Sequence, residues 1–448
     1  MSAFPRIAVG AIQPGIDSQV ITWALIDALV QSGAQVQHFL SRACFVPYHA
    51  AAGPAGSESR HLDTWLMTPE LCREFFAHGA SVCDLSVIEG RFRPAQIERA
   101  CDGGDLELLC EWLHVPRIAV IDASRLVQCC WPGRPEQVDG VLLDRVTDRA
   151  QLIRLQTTLE AVWGVPVLGA LEELPRLRAA ISRLPAGSRP EPETCHALGA
   201  AFLRYSSLGR LREMAARRPL LEAPQQAFRP GLGLTDTRVA VAYDAAFNCY
   251  FPDTLDMLEL RGATVVDFSP LRDEVLPPET DIVYLGCGHP ERFADELMRN
   301  HCLTLALTNH LCAGHRIYAE GGGLAYLCQQ VVLPDGQRLP MVGALPAVAH
   351  LQPQAGLPTP IELTLAQDTW LARTGDRLRG YLSSHWRIEP QRGLIGCTLP
   401  AGHEHDLVRA HQAVGSRAHL NFAAQPRYLN RFLEPQGVLC RAGRGQGR

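Results

Sequence analysis

Short apolar runs separated by amphipathic stretches fill the first half of the chain. RIAVGAI (6–12), QVQHFL (35–40), DLSVIEG (84–90), RIAVIDAS (117–124), VDGVLLDRV (138–146) and VPVLGAL (165–171) are apolar, β-branched-rich runs of strand length. Residues 17–34 carry apolar side chains at helical spacing and stop at Gly33. A second helix is expected over 68–80, with Thr68 as N-cap and Pro69 at its first position. Strands that alternate with helices predict an open, mostly parallel sheet.

Residues 220–237, rich in Pro, Gly and polar side chains, read as a linker. A second α/β series follows, with strands at 238–244, 264–271, 281–288 and 316–322 and a helix over 252–263. Beyond residue 340 the pattern turns β-like, and 436–448 reads as a disordered tail. The expected fold class is therefore α/β, with two doubly wound domains at 1–219 and 238–435 and no internal repeat.

Composition narrows the function classes. The 448 residues are 47% hydrophobic and 20% charged, as expected of a chain with a real core. A net charge of -5 gives no electrostatic basis for nucleic-acid binding. No apolar run is long enough for a membrane span, and the N-terminus lacks the basic start and cleavage site of a signal peptide, so a cytoplasmic protein is expected. The 15 cysteines form no C-x-x-C pair and read as reduced, buried thiols. No metal site is expected, and HEH (403–405) reads as a solvated loop. All 42 basic residues are arginine, which excludes any chemistry that needs a lysine.

Two segments carry candidate chemistry. GAIQPGIDSQ (10–19) lies where a phosphate-binding loop belongs, between the first strand and the first helix. Gly10 and Gly15 remain of such a loop, but Pro14 has no N–H to donate. Asp17 stands in the lysine position, where its carboxylate repels phosphate, and Ser18 stands where a magnesium-binding hydroxyl would sit. More simply, Asp17 or Ser18 caps the helix. YAEGGGLAYL (318–327) has the strand–turn–helix layout of a nucleophile elbow. Its apex is Gly321, which has no reactive side chain.

HLDTWLM (61–67), DLSVIEG, VPVLGAL, residues 238–277, DIVYLGCGHPE (281–291), the elbow itself and RAHLNFAAQP (417–426) together resemble the cobyrinic acid a,c-diamide synthase family. The resemblance implies an ATP-dependent amide ligase domain of the dethiobiotin-synthetase-like P-loop type, followed by a class I-like glutamine amidotransferase domain. It implies ATP and Mg²⁺ as cofactors, a tetrapyrrole carboxylate as the group activated, and glutamine as the ammonia source. On this chain it implies Glu89 as the acid that helps hold magnesium, Asp63 in a ligand-binding segment, His419 as the catalytic histidine, and a homodimer formed through the second half.

The departures from that family fall on chemistry. The loop lysine is Asp17, and the elbow cysteine is Gly321. The acidic residue after the second strand is absent from SRACFVPYH (41–49), and RFRPAQ (91–96) replaces a Gly-Leu-Tyr-Asp-Gly segment. Three readings follow. The first is a catalytically degenerate family member, a ligand-binding protein or complex subunit linked to tetrapyrrole (cobalamin or sirohaem) metabolism. In it Arg91 and Arg93 receive a carboxylate or phosphate, and no cofactor is retained. The second is an active amide-forming enzyme of altered mechanism, with Cys287 as a displaced nucleophile beside the elbow or a partner protein supplying a missing group. The third is an interaction scaffold without a ligand.

Overall fold

The computed structural model describes residues 4–16, 18–45, 55–92, 103–126, 131–185, 188–217, 219, 221–224, 226–229, 236–354, 356–399 and 406–434. Asp17, Arg93, the HEH segment and the expected tail lie outside these residues.

The first sheet has seven strands, β1 (Arg6–Ala11), β2 (Val36–Leu40), β3 (Arg60–His61), β4 (Leu85–Arg91), β5 (Arg117–Asp122), β6 (Gly140–Val146) and β7 (Val167–Glu172). They run in the order β3-β2-β4-β1-β5-β6-β7, and every pair is parallel. β1, β2 and β5 are buried along their whole length, so β1 and β5 read as near-continuous apolar runs after an initial arginine, while the polar Gln37 and His38 of β2 are satisfied by hydrogen bonds to Glu58 O and Ser59 Oγ. Helix α1 (Gln19–Gln31) follows β1 and packs on the helix Pro192–Leu203. That crossing is close because residue 199 is glycine: a Cβ there would lie 2.1 Å from Asp27 Oδ2.

A second seven-stranded sheet is built from Thr264–Phe268, Arg238–Ala242, Ile282–Leu285, Arg316–Glu320 and Ala413–Ser416, all parallel. Val408–Ala410 and Ile395–Gly396 continue it antiparallel. The β-like character beyond residue 340 resolves into a small sheet around Leu345–Leu351 and another formed by Thr359–Thr364, Arg377–Leu382 and Ala418–His419. The α/β fold class is thus present in both halves.

Most element predictions hold within a few residues. Thr68 caps the helix Pro69–Ala80, accepting from the Leu71 N–H. Ser18 does not cap as predicted: it sits at the N-cap of α1 without a side-chain cap bond, and its Oγ donates to Glu89 Oε1 at 3.1 Å. The expected linker is partly anchored, because Glu74 accepts from the N–H groups of Ala227 at 2.5 Å and Phe228 at 3.1 Å. Phe228 then stacks on His78.

One apolar cluster contains side chains of both halves, from Phe39 and Phe76 to Tyr284 and Phe432. Polar clasps reinforce it. Arg60 pairs with Asp253 at 2.5 Å and with Asp256 at 2.8 Å. Tyr381 donates its hydroxyl to Asp63 Oδ2 at 2.5 Å. No helix among the described residues is long and apolar enough to cross a membrane.

Candidate functional site: an elbow without a nucleophile

The strand Arg316–Glu320 ends at Gly321, whose φ of 50° and ψ of -108° turn the chain sharply into the helix Gly322–Leu327. This backbone is costly for any residue with a side chain, and such strain is characteristic of nucleophile elbows. The next two glycines permit close packing: a Cβ on Gly322 would lie 2.4 Å from the Gly288 carbonyl oxygen, and one on Gly323 would lie 2.3 Å from that of Leu285. The turn therefore has an elbow-like backbone with glycine at its apex.

Cys287 fills the vacated space. A Cβ on Gly321 would stand 3.1 Å from Cys287 Sγ. Burial pushes the Cys287 thiol well above its ordinary range, and the neighbouring carboxyl of Glu320 adds to the shift. The thiolate, which is the reactive form, is thus disfavoured. Glu320 is itself buried, accepts from the Tyr318 hydroxyl at 2.7 Å and lies 3.8 Å from Cys287 Sγ. Burial pushes its carboxyl up to about 8, so at neutral pH it is mostly uncharged.

His419 lies across the same cavity, at the end of the strand Ala418–His419. Its Nδ1 accepts a hydrogen bond from the Phe45 backbone N–H at 3.1 Å, and the Phe45 ring packs beside it. Burial pulls the imidazole down to about 3, helped by His385. A neutral ring whose Nδ1 accepts carries its proton on Nε2. A general base of the serine or cysteine triad type needs the reverse, with Nδ1–H oriented by a partner and Nε2 free. The structure brings Gly321, Cys287 and His419 together, in a tautomer that suits structure rather than proton abstraction.

The cleft of the first sheet lies at the carboxyl ends of β1, β5 and β6, the usual place for a site in an open α/β sheet. Its volume is about 460 Å³, and Gly15, Gln19, Asp122, Arg125, Arg145 and Arg178 are among its walls. Gly10 serves packing, since a Cβ there would lie 2.8 Å from the Phe92 ring. Gly15 supplies a positive φ of 69° to the turn. The loop's carbonyls are held by arginines: Arg91 donates to Ile16 O at 2.9 Å and Arg125 to Pro14 O at 3.0 Å. Glu89 is 4% exposed, takes the Ser18 hydroxyl and stands 3.2 Å from His38 Nε2. Asp63 is fully buried and accepts from Ala43, Trp65 and Leu66 N–H groups besides Tyr381.

Sequence reasoning named Arg91 but missed Arg125, Arg145 and Arg178. Arg125 was open to inference, because it follows directly on a buried strand that ends in Asp122. Arg178 was not, because its partner Asp144 lies 34 residues away.

A parallel α/β sheet whose central strand enters this elbow, with a glycine turn and a histidine facing it, defines a glutamine amidotransferase-like domain. Residues 238–422 match the CobB/CobQ-like glutamine amidotransferase domain family. Over nearly the whole chain there are further likenesses. The hydrogenobyrinate a,c-diamide synthase of Streptomyces coelicolor is 29% identical, with 97% of this chain and 98% of that protein covered. The cobyrinate a,c-diamide synthase of Methanosarcina acetivorans is 28% identical over 97% of this chain and 96% of its own length. That of Magnetococcus marinus is 30% identical, with 78% of each chain covered. The chain belongs to the cobyrinate a,c-diamide synthase family.

Proposed function

We propose that this chain is a glutaminase-silent member of its family, which binds an anionic tetrapyrrole rather than feeding ammonia to one. The observation that carries this reading is the elbow: its strained backbone is kept at Gly321 while Cys287 takes up the side-chain space. Loss of a nucleophile from a site of this type costs up to about six orders of magnitude in turnover. The His419 tautomer supports the same reading, since no base is poised for a replacement nucleophile.

The nucleotide half supports a binding role in the same way. Ser18 and Glu89, which the family resemblance assigns to magnesium, bond to each other. Arg125, Arg145 and Arg178 line the adjoining cleft; Arg145 pairs with Asp122 and Arg178 with Asp144, so the charge offered to a ligand is chiefly that of Arg125, which bonds backbone carbonyls. Relatives are named for cobyrinate and hydrogenobyrinate, and a carboxylate-rich macrocycle is the ligand class these guanidinium groups suit. Arg125→Ala is expected to weaken such binding by roughly tenfold, the loss of about one charge-assisted hydrogen bond.

An absorbance titration with cobyrinate and with sirohydrochlorin tests the ligand, run beside assays for glutamate release and ATP hydrolysis. The expected result is saturable binding with neither glutamate nor ADP formed. Catalytic turnover would return the chain to the amide-forming enzymes, and the absence of any pigment binding would leave the scaffold reading.

A further inference from the structure

The cavity beside the elbow has a second wall, formed by His289 and His385. His289 and Glu291 flank Pro290, where a single 3-10 turn, Pro290–Phe293, begins. His385 comes from the loop between the strands Arg377–Leu382 and Trp386–Pro390. All three are largely screened from solvent: His289 and Glu291 are 11% exposed at the side chain, and His385 is 26% exposed. His289 Nδ1 lies 3.1 Å from Glu291 Oε1, and His385 Nε2 lies 3.5 Å from the same oxygen. All three donor atoms fall within 4.8 Å of one another.

Those separations have a chemical meaning. Ligand atoms bonded to a zinc-sized ion at about 2.1 Å stand roughly 3.4 Å apart in tetrahedral geometry. The spacings of 3.1 and 3.5 Å bracket that value, so small side-chain adjustments suffice to close the set on an ion. Proton sharing alone leaves the cluster incompletely satisfied. Glu291 Oε2 is buried without a hydrogen-bond partner among the described residues, and His385 Nε2 has only the long approach to Glu291 Oε1. An unsatisfied buried oxygen beside two imidazoles is unfavourable in the absence of a cation. A cation between the rings would engage both.

We propose that His289, Glu291 and His385 form a binding site for one first-row divalent metal ion, held by two imidazoles and one carboxylate, with an open coordination position toward the cavity. The ligand set suits Zn²⁺, Co²⁺, Ni²⁺ or Fe²⁺ and disfavours Mg²⁺ and Ca²⁺, which prefer all-oxygen sites. The open position faces a cavity of about 80 Å³ that Cys249, Cys287, Gly321 and His419 also line. That volume admits water or a ligand of a few atoms. The site occupies the room in which an active elbow would hold substrate, yet it does not depend on the glutaminase-silent reading.

The test is equilibrium dialysis of chelator-stripped, full-length protein against Zn²⁺, with metal content read by mass spectrometry. The exposed Cys302 and Cys312 are replaced by alanine in every sample to remove adventitious thiol binding. The expected result is one equivalent of zinc, with affinity reduced at least about tenfold by His385→Ala, by His289→Ala and by Glu291→Gln. Co²⁺ loading should give visible bands of low-coordinate cobalt that the same substitutions remove. Far-ultraviolet circular dichroism separates lost metal from lost fold. Folded protein that binds no zinc, or binds it equally well after all three substitutions, overturns the proposal. Glutamate release in the same samples would instead count against the proposed function and leave the metal site standing.

Discussion

At the scale of single residues, Gly321 and Cys287 form a complementary pair. Gly321→Ala places a Cβ at 3.1 Å from Cys287 Sγ on a backbone of positive φ, and should cost about 1–3 kcal/mol of stability. Adding Cys287→Ala removes the sulfur. The double variant should therefore lose less than the sum of the singles, with a coupling of at least about 0.5 kcal/mol in urea denaturation. Strict additivity would show that the sulfur does not fill the elbow's slot.

Glu320 gives a pH signature. Its folded value of about 8 lies above the ordinary 4.5, so between these the folded chain holds a proton that the unfolded chain has released. Stability then falls as pH rises, by about 1.4 kcal/mol per unit. His419 contributes the opposite slope, but only from about 3 up to 6.5. The clean window is pH 6.5 to 8, where wild type should weaken and Glu320→Gln should stay level; equal slopes in the two proteins would contradict the assignment. The glycine at the elbow apex was plain in the sequence. The His419 tautomer was not, because the N–H that sets it belongs to Phe45, 374 residues away.

At the scale of elements, local signals were reliable wherever the competition was local. Thr68 caps its helix as Thr-Pro predicts, because the one other group that bonds its hydroxyl, Glu70, lies in the same first turn. Ser18 fails as a side-chain cap because Glu89, on a strand beside it only in the fold, takes the hydroxyl first. The buried strands were legible as apolar runs, whereas their order depends on crossovers that no single run encodes. The contact between halves was not legible either. Arg60, 17% exposed, holds the 2%-exposed carboxylate of Asp253 across that contact. Arg60→Ala leaves this carboxylate buried and unpaired and should cost on the order of 3 kcal/mol in denaturant unfolding. Arg217→Ala, which breaks the exposed pair with Glu213, should change stability by no more than about 0.5 kcal/mol. Equal effects would show that the Arg60 clasp is not shielded from water.

At the scale of the whole molecule, the two halves share one apolar cluster, and each carries a cleft in the position its family would use. In one, arginines hold the loop carbonyls and a serine bonds the acid that the family resemblance assigns to magnesium. In the other, a thiol with little thiolate character stands 3.1 Å from where a Cβ on Gly321 would lie. Glutamine consumption is the most direct test of the proposed glutaminase-silent reading. Purified full-length protein, given glutamine, ATP, Mg²⁺ and cobyrinate, should release glutamate no faster than the buffer alone. Sustained release at an ordinary enzymatic rate, on the order of one turnover per second or more, would contradict it.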